Sequence, residues 1–316
     1  MSQEDIWLIG AGSMAQDYIK VLAALKKSFL VIGRGEETAK ACEISTGCSV
    51  VRGGLAQFIS SVTYTPAYAI IATGVEKLFE TTKLLLEHNV KNILVEKPGA
   101  LYNWEFEELN RLAKEKNAHV FIAYNRRFYA STLKANEIIQ QDGGITTFNF
   151  EFTEWAHEIE PLQKGEGVKD RWFLANSTHV VDLAFYLGGQ PKEICSFTSG
   201  TLDWHKSASI FSGAGVSQTG ALFNYQANWE SAGRWSLEVL TKEHRLIFRP
   251  MEKLQIQKRG SVQQNFVEID YTLDEDYKPG LYLQTKNFIE NMNHSLCTLS
   301  EQLHTINIYN KIANYQ

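Results

Sequence analysis

A chain of 316 residues is longer than one hydrophobic core usually organises, so two domains are expected. With 44% hydrophobic and 21% charged residues, and only 22 glycines and 6 prolines, the composition excludes disordered and collagen-like classes. The formal net charge of −5, with Lys and Arg scattered rather than gathered into a stripe, argues against a nucleic-acid partner.

The opening Met1-Ser2-Gln3-Glu4-Asp5 is acidic and gives no basic region from which a cleavable leader could be drawn. Apolar runs such as Ile6-Trp7-Leu8-Ile9 are far shorter than a membrane span and read as buried strands. From residue 6 to residue 123, strands at 6–9, 29–32, 50–51, 67–71, 92–95 and 119–123 alternate with helices near 14–26, 36–45, 75–87 and 104–116. That alternation is the pattern of a parallel sheet built from βαβ units, and it predicts an α/β Rossmann domain over residues 1–123. Past Tyr124 strand-like stretches follow one another, at 145–152, 194–198, 207–211, 217–228, 235–240, 245–249 and 266–270, with helices at 131–140, 178–187, 281–293 and 303–313. Residues 124–316 are therefore expected to form an α+β domain with an open, mostly antiparallel sheet. Cys42, Cys48, Cys195 and Cys297 form no CxxC pair and no metal-finger spacing, which points to a reducing, cytoplasmic setting and to no metal site.

Gly10-Ala11-Gly12-Ser13-Met14-Ala15 follows a predicted strand and opens a predicted helix, the context in which GxGxx(G/A) signals a dinucleotide site. Gly10 permits the tight turn, Gly12 leaves room for the pyrophosphate, and Ala15 lets helix and sheet approach, while the helix N-terminus at Ser13 and Met14 faces the phosphates. An NAD-preferring site usually carries an acid at the end of the second strand, yet the chain reads Ile32-Gly33-Arg34-Gly35. A guanidinium there suits a 2′-phosphate, which favours NADP over NAD; the other reading of Arg34 is an ordinary surface arginine. Thr73, just after the 67–71 strand, is a further cofactor candidate. Glu96-Lys97-Pro98 stands at the carboxyl end of a buried strand, where open α/β sheets bind ligands, and the proline restricts Lys97 to extended backbone and makes a cis peptide possible. A solvated Glu-Lys pair ending a strand is the plain alternative.

Taken together, Gly10-Ala11-Gly12, Glu96-Lys97-Pro98, Asn125-Arg126-Arg127-Phe128, and His179-Val180-Val181-Asp182-Leu183 ahead of Leu187-Gly188-Gly189 resemble the Gfo/Idh/MocA family, relatives of glucose-fructose oxidoreductase and inositol dehydrogenase. The resemblance implies a Rossmann domain holding the cofactor, with Glu96 and Lys97 beside it, and a second domain presenting a sugar or cyclitol and associating with copies of itself through its sheet. It also implies that Lys97 exchanges the substrate's hydroxyl proton as hydride moves, with a pKa lowered toward neutrality, and that His179 contacts that hydroxyl. The chain departs from the family pattern four residues before the histidine, where an aspartate is usual and Ala175 stands. Asn176 can replace a hydrogen bond but not a base, and Asp170, Arg171 and Trp172 are candidates for new substrate contacts.

For His179 the bland reading is a capped or buried helix-start histidine with Asp182 as its partner. Asn125, Arg126 and Arg127 are placed either to bind an anionic substrate group or to form a domain-linking salt bridge. Trp155, His157, Trp204 and His205 fall in loops, where packing is the default and sugar stacking the alternative. Two functions remain at this point: an NADP-dependent sugar dehydrogenase or ketoreductase, including one for nucleotide-linked or keto sugars, and a catalytically silent dinucleotide or sugar sensor motivated by the lost aspartate.

Overall fold

The computed structural model describes residues 5–315. Six strands, β1 (Ile6–Ile9), β2 (Phe29–Ile32), β3 (Val50–Val51), β4 (Tyr68–Ile71), β5 (Asn92–Glu96) and β6 (His119–Ala123), are joined by α1 (Ser13–Ala24), α2 (Glu36–Thr46), α3 (Gly54–Ser61), α4 (Leu78–Glu87) and α5 (Asn103–Glu115). Every residue of β1 is buried, as a run without polar alternation requires when helices cover both faces of a parallel sheet. The strands pair in the order β6-β5-β4-β1-β2-β3, all parallel, so the order reverses beside β1. A crevice at that reversal is where such sheets bind ligands. Helix α3 was not foreseen, because Gly53-Gly54 and only eight residues leave little periodic signal, and the stretch expected as one helix over 75–87 starts with a 3₁₀ turn at Val75–Lys77.

Beyond a 3₁₀ turn at Asn125–Phe128 come α6 (Ala130–Gln141), β7 (Thr147–Glu151), the single turn α7 (Ala156–Ile159), a π-helical turn at Phe173–Ser177 and α8 (Thr178–Gly188). Strands β8 (Pro191–Ser199), β9 (Ile210–Ser217), β10 (Leu222–Asn228), β11 (Ser236–Leu240), β12 (His244–Phe248), β13 (Gln255–Lys258) and β14 (Gln264–Phe266) complete an eight-stranded sheet in the order β14-β13-β12-β11-β7-β10-β9-β8. All pairs are antiparallel except β7 with β10. On its covered face Phe148, Phe150, Phe152, Phe211, Phe223 and Tyr225 pack around Phe185 of α8 and Phe173. The strand expected at 207–211 runs instead from Ile210 to Ser217, through two glycines that read as breakers. A Cβ at Gly213 or Gly215 would strike the ring of Tyr225 or Phe223, so the glycines make room for that aromatic layer. The expected strand at 266–270 is replaced by the β13–β14 hairpin, whose glutamine-rich strands carry no apolar alternation.

After α9 (Thr272–Asp276) the chain forms α10 (Leu281–Ile289), β15 (Cys297–Thr298) and α11 (Leu299–Ala313). The chain divides into two compact units, one of residues up to Asn125 with Asp274–His304, the other of Arg126–Leu273 with the residues from Thr305 onward. The sequence reading assigned all of 124–316 to the second domain; residues 274–304 belong to the first because β15 pairs antiparallel with β6 and Phe288 of α10 packs edge-on against Tyr68 and Phe121. Those are long-range contacts that no local pattern announces. Among the described residues no helix is long and apolar enough to cross a membrane, and no group of three or more His, Cys, Asp or Glu is arranged to hold a metal ion.

Candidate functional site

In the first unit the turn after β1 is built by steric necessity. Gly10 has φ +124°, and a Cβ there would lie 2.3 Å from the carbonyl oxygen of Ala72 at the end of β4, so no other residue fits without moving backbone. Gly12 is the N-cap of α1 and has no side-chain cap, and a Cβ added to it would meet nothing within 4 Å. The helix thus presents uncapped N–H groups to open space, the arrangement that receives a phosphate. A cavity of about 500 Å³ opens there, with Gly10, Gly12, Arg34, Gly54 and Thr73 in its walls, and Ser13 and Met14 start α1 beside it. Its size and the empty space over Gly12 fit a dinucleotide.

Arg34 is exposed on the cavity wall and makes no ion pair among the described residues. The acid two residues on, Glu36, pairs with Arg52 at 2.9 Å. Register places the rest of the edge. Ile9 lies opposite Ile71, and Ile71 opposite Val95, so Gly10, Ala72 and Glu96 end three neighbouring strands at one level and Lys97 follows immediately. The Glu96 carboxylate accepts the Tyr18 hydroxyl at 2.8 Å, and Tyr18, fully buried on α1, also accepts from the Gln284 amide at 3.3 Å. Burial pushes the Glu96 carboxyl up from its ordinary range, opposed by the Tyr18 hydrogen bond and by Lys97, and pushes the Tyr18 hydroxyl well above its own. Glu96 therefore ties β5 to the helix that follows the glycine turn. Lys97 is half-buried, and its peptide bond to Pro98 is cis. The Pro98 carbonyl accepts from Gln302, whose amide also donates to the Tyr124 hydroxyl, so the strand end that carries Lys97 is fixed. Asn125 is buried and donates to the Pro279 carbonyl at 2.9 Å; its amide holds the returning segment.

In the second unit the residues around His179 are organised by a carboxylate the sequence reading did not single out. Phe148, Phe150 and Phe152 alternate inward along β7 and its extension, and Glu154 keeps the same parity, so it too is buried. Its oxygens accept from the Asn176 amide at 3.0 and 3.1 Å and from the Ser177 hydroxyl at 2.8 Å, and Arg234 stands 3.5 Å away. Asn176 and Ser177 end the π-helical turn that leads into α8, so Glu154 fixes the geometry one residue ahead of Thr178 and His179. The inward parity of an acid was the signal that could have revealed it. His179 is half-buried with its ring 6.0 Å from Trp235. Trp235 is flanked by two guanidiniums, Arg126 at 4.8 Å and Arg234 at 4.7 Å from its ring, and Arg234 also covers Trp155 at 4.8 Å.

Several expectations change here. Asp182 takes Arg127 in a buried two-point pair at 2.9 and 2.6 Å, an ion pair internal to the second unit and so not a domain link. Trp172 is buried against Trp204, and Arg171 lies over the Tyr315 ring at 4.6 Å, so their side chains are engaged in packing. His205 is fully buried, with one ring nitrogen 2.6 Å from the Ala208 carbonyl and the other 2.8 Å from the Tyr315 hydroxyl. The arrangement suits a neutral ring that donates to the carbonyl and accepts from the hydroxyl, and burial lowers its pKa to about 4.

A parallel sheet with its order reversing beside β1, and a glycine turn and bare helix N-terminus opening on a dinucleotide-sized cavity, define a nicotinamide-nucleotide-binding oxidoreductase fold. Residues 5–124 match the Gfo/Idh/MocA oxidoreductase family with an NAD-binding Rossmann fold. No curated protein matches the sequence. Among solved structures, the chain is similar to a dehydrogenase from Clostridium difficile with TM-score 0.78 and 19% identity, covering 99% of each chain. It is similar to levoglucosan dehydrogenase in complex with NADH, with TM-score 0.77 and 17% identity over 99% of this chain and 97% of that one. UDP-N-acetylglucosamine 3-dehydrogenase from Acidithiobacillus ferrooxidans gives TM-score 0.75 and 14% identity over 100% of this chain and 98% of that one. Identities this low establish a shared fold.

Proposed function

We propose that the protein is an NADP(H)-dependent oxidoreductase acting on a ring hydroxyl, or the matching ketone, of a sugar-type substrate such as a keto sugar or a nucleotide-linked sugar, with Lys97 as its acid-base group. The observation that carries this reading is the common level of Gly10, Ala72 and Glu96 on the sheet, which sets Lys97 on the edge of the glycine turn. The bound nucleotide supplies the site that accepts or donates hydride. Lys97 takes the proton from the substrate hydroxyl oxygen on oxidation and returns it to the ketone oxygen on reduction. His179 is carried into this reading by the resemblance, as the residue that hydrogen-bonds a substrate hydroxyl. Glu154 restores a carboxylate to the neighbourhood of the histidine where the family's aspartate has become Ala175, and it acts as a positioning residue through Asn176 and Ser177.

The unpaired Arg34, with Glu36 in a pair with Arg52, supports NADP(H) over NAD(H). Incubating the protein with NADPH and a panel of keto sugars should deplete the reduced-nicotinamide absorbance; no loss with any of them, while NADPH binding is demonstrable, sinks the reading. Lys97→Met should lower kcat by about 10²–10⁴-fold and leave the NADPH dissociation constant unchanged.

The same reading includes a homo-oligomer formed through the second sheet, supported by outward Phe197 and Leu222, 71% and 57% exposed on β8 and β10. Phe197→Glu with Leu222→Glu should then yield monomers in sedimentation. Four free thiols support a cytoplasmic setting.

A further inference from the structure

The guanidinium of Arg126 makes no ion pair among the described residues. It lies between Trp235, at 4.8 Å from the ring, and Tyr129, at 5.6 Å, and its Nε is buried with no hydrogen-bond partner among the described residues. The carboxylates whose charge it feels, Glu154 and Glu252, form no ion pair with it, and those of Glu154 are occupied by Asn176, Ser177 and Arg234. The indole N–H of Trp235 is also buried without an acceptor. Two neighbouring side chains thus offer donors and one positive charge, and among the described residues nothing accepts from Arg126 Nε or the Trp235 indole N–H. Arg126 is half-buried, a cation partly withdrawn from water needs an anionic partner, and the fork of an arginine matches the two oxygens of a carboxylate or phosphate. Burial accordingly lowers the Arg126 pKa from its ordinary value. A neutral sugar hydroxyl would satisfy a donor but not the charge.

We propose that Arg126, with the Trp235 indole N–H, forms an oxyanion subsite that selects sugars bearing a carboxylate or a phosphate over neutral ones. The proposal rests on the sugar oxidoreductase reading for its substrate and deepens it by fixing the charge class. His179 neighbours the same indole ring, so the charged end of the sugar is held beside the hydroxyl contact rather than at a remote surface.

The test is calorimetric titration of the NADP⁺-loaded protein with D-glucose, D-glucuronate, D-glucose 6-phosphate and UDP-glucose, followed by steady-state kinetics with any that react. At least one charged ligand should bind about 10–100-fold more tightly than glucose, the effect expected of a charge-assisted hydrogen bond in a desolvated site. Arg126→Met should erase that preference, read as the ratio of dissociation constants for charged and neutral sugars, while leaving the NADPH dissociation constant within about twofold, and Arg126→Lys should recover part of it. Glucuronate favoured alone assigns a carboxylate, and the phosphorylated ligands favoured together assign a phosphate. Equal affinity for charged and neutral sugars, binding of none of them, or a charge preference that survives Arg126→Met overturns the subsite. If charged sugars bind through Arg126 but no sugar or keto sugar is turned over, the subsite stands and the oxidoreductase reading fails. Turnover of neutral sugars with no charge preference has the opposite meaning. Should Arg126→Met fail to fold, Arg126→Lys and the salt dependence of binding to the unaltered protein carry the test.

Discussion

The glycine turn of the first unit joins residues within six positions of one another, whereas the polar wall of the second draws Arg126, Glu154, Asn176 and Arg234 from four separate segments. In the turn, backbone sterics impose residue types one position at a time, and the pattern survives in the sequence as a motif. In the wall, each residue type is fixed by the side chain facing it, and the sequence holds only unrelated polar residues. A local site is therefore robust to changes elsewhere, and a wall assembled at long range fails when one distant partner is removed.

The largest test of that contrast is Arg127→Met. It leaves Asp182 buried without its two-point partner and should lower the unfolding free energy of the second unit by about 3–5 kcal/mol, with NADPH protection of the first unit against proteolysis retained. A loss below about 1 kcal/mol would mean that the wall tolerates removal of a long-range partner.

Acid should expose the second unit next. The His205 pKa is about 4 in the folded chain because of burial, against about 6.5 when unfolded. Between those values the unfolded chain binds a proton that the folded one does not, so stability is complete above about pH 6.5 and declines as pH falls toward 4. The loss from this ring is about 3 kcal/mol, readable as a denaturation midpoint that falls across the window and stays flat across it in His205→Gln.

A paired substitution sharpens the local side. Gly10→Ala should cost about 2 kcal/mol or more, because φ +124° is strained for alanine and the new methyl meets the Ala72 carbonyl. Gly12→Ala should leave thermal stability within about 0.5 kcal/mol and weaken NADPH binding, since its methyl enters only the open space assigned to the pyrophosphate. Equal melting temperatures for the two variants would break the argument that only Gly10 is conformationally required. The smallest effect belongs to Arg34→Ala, expected to narrow the preference for NADPH over NADH by about tenfold, roughly 1.4 kcal/mol, in competitive titration.

Legibility in the sequence followed the same division. The six parallel strands could be placed within a residue or two because each is a short apolar run between amphipathic helices, and the glycine motif was meaningful because it sat between the first strand and the first helix. Helix α3 was too short to show a period, and β13 and β14 too polar to show alternation. At the site, Gly10, Gly12, Arg34 and Thr73 do line one cavity. Trp172 and Arg171 read as substrate-contact candidates because their loop replaces a familiar motif; the ring contacts they make with Trp204 and Tyr315, more than thirty residues away, have no local signal. Glu154 was passed over because one acid at inward parity is inconspicuous beside a conspicuous histidine.

The sequence by itself determined the α/β order, the dinucleotide turn and the placement of Lys97 at a strand end, since these follow from periodicity and backbone sterics acting over a few residues. Only the tertiary structure decided that residues 274–304 return to the first unit, that Asp182 answers Arg127, and that Glu154 stands behind Asn176 while Arg126 Nε finds no partner among the described residues. Such pairings depend on which distant segments pack together, and charge compensation in a buried site is a property of three-dimensional neighbours.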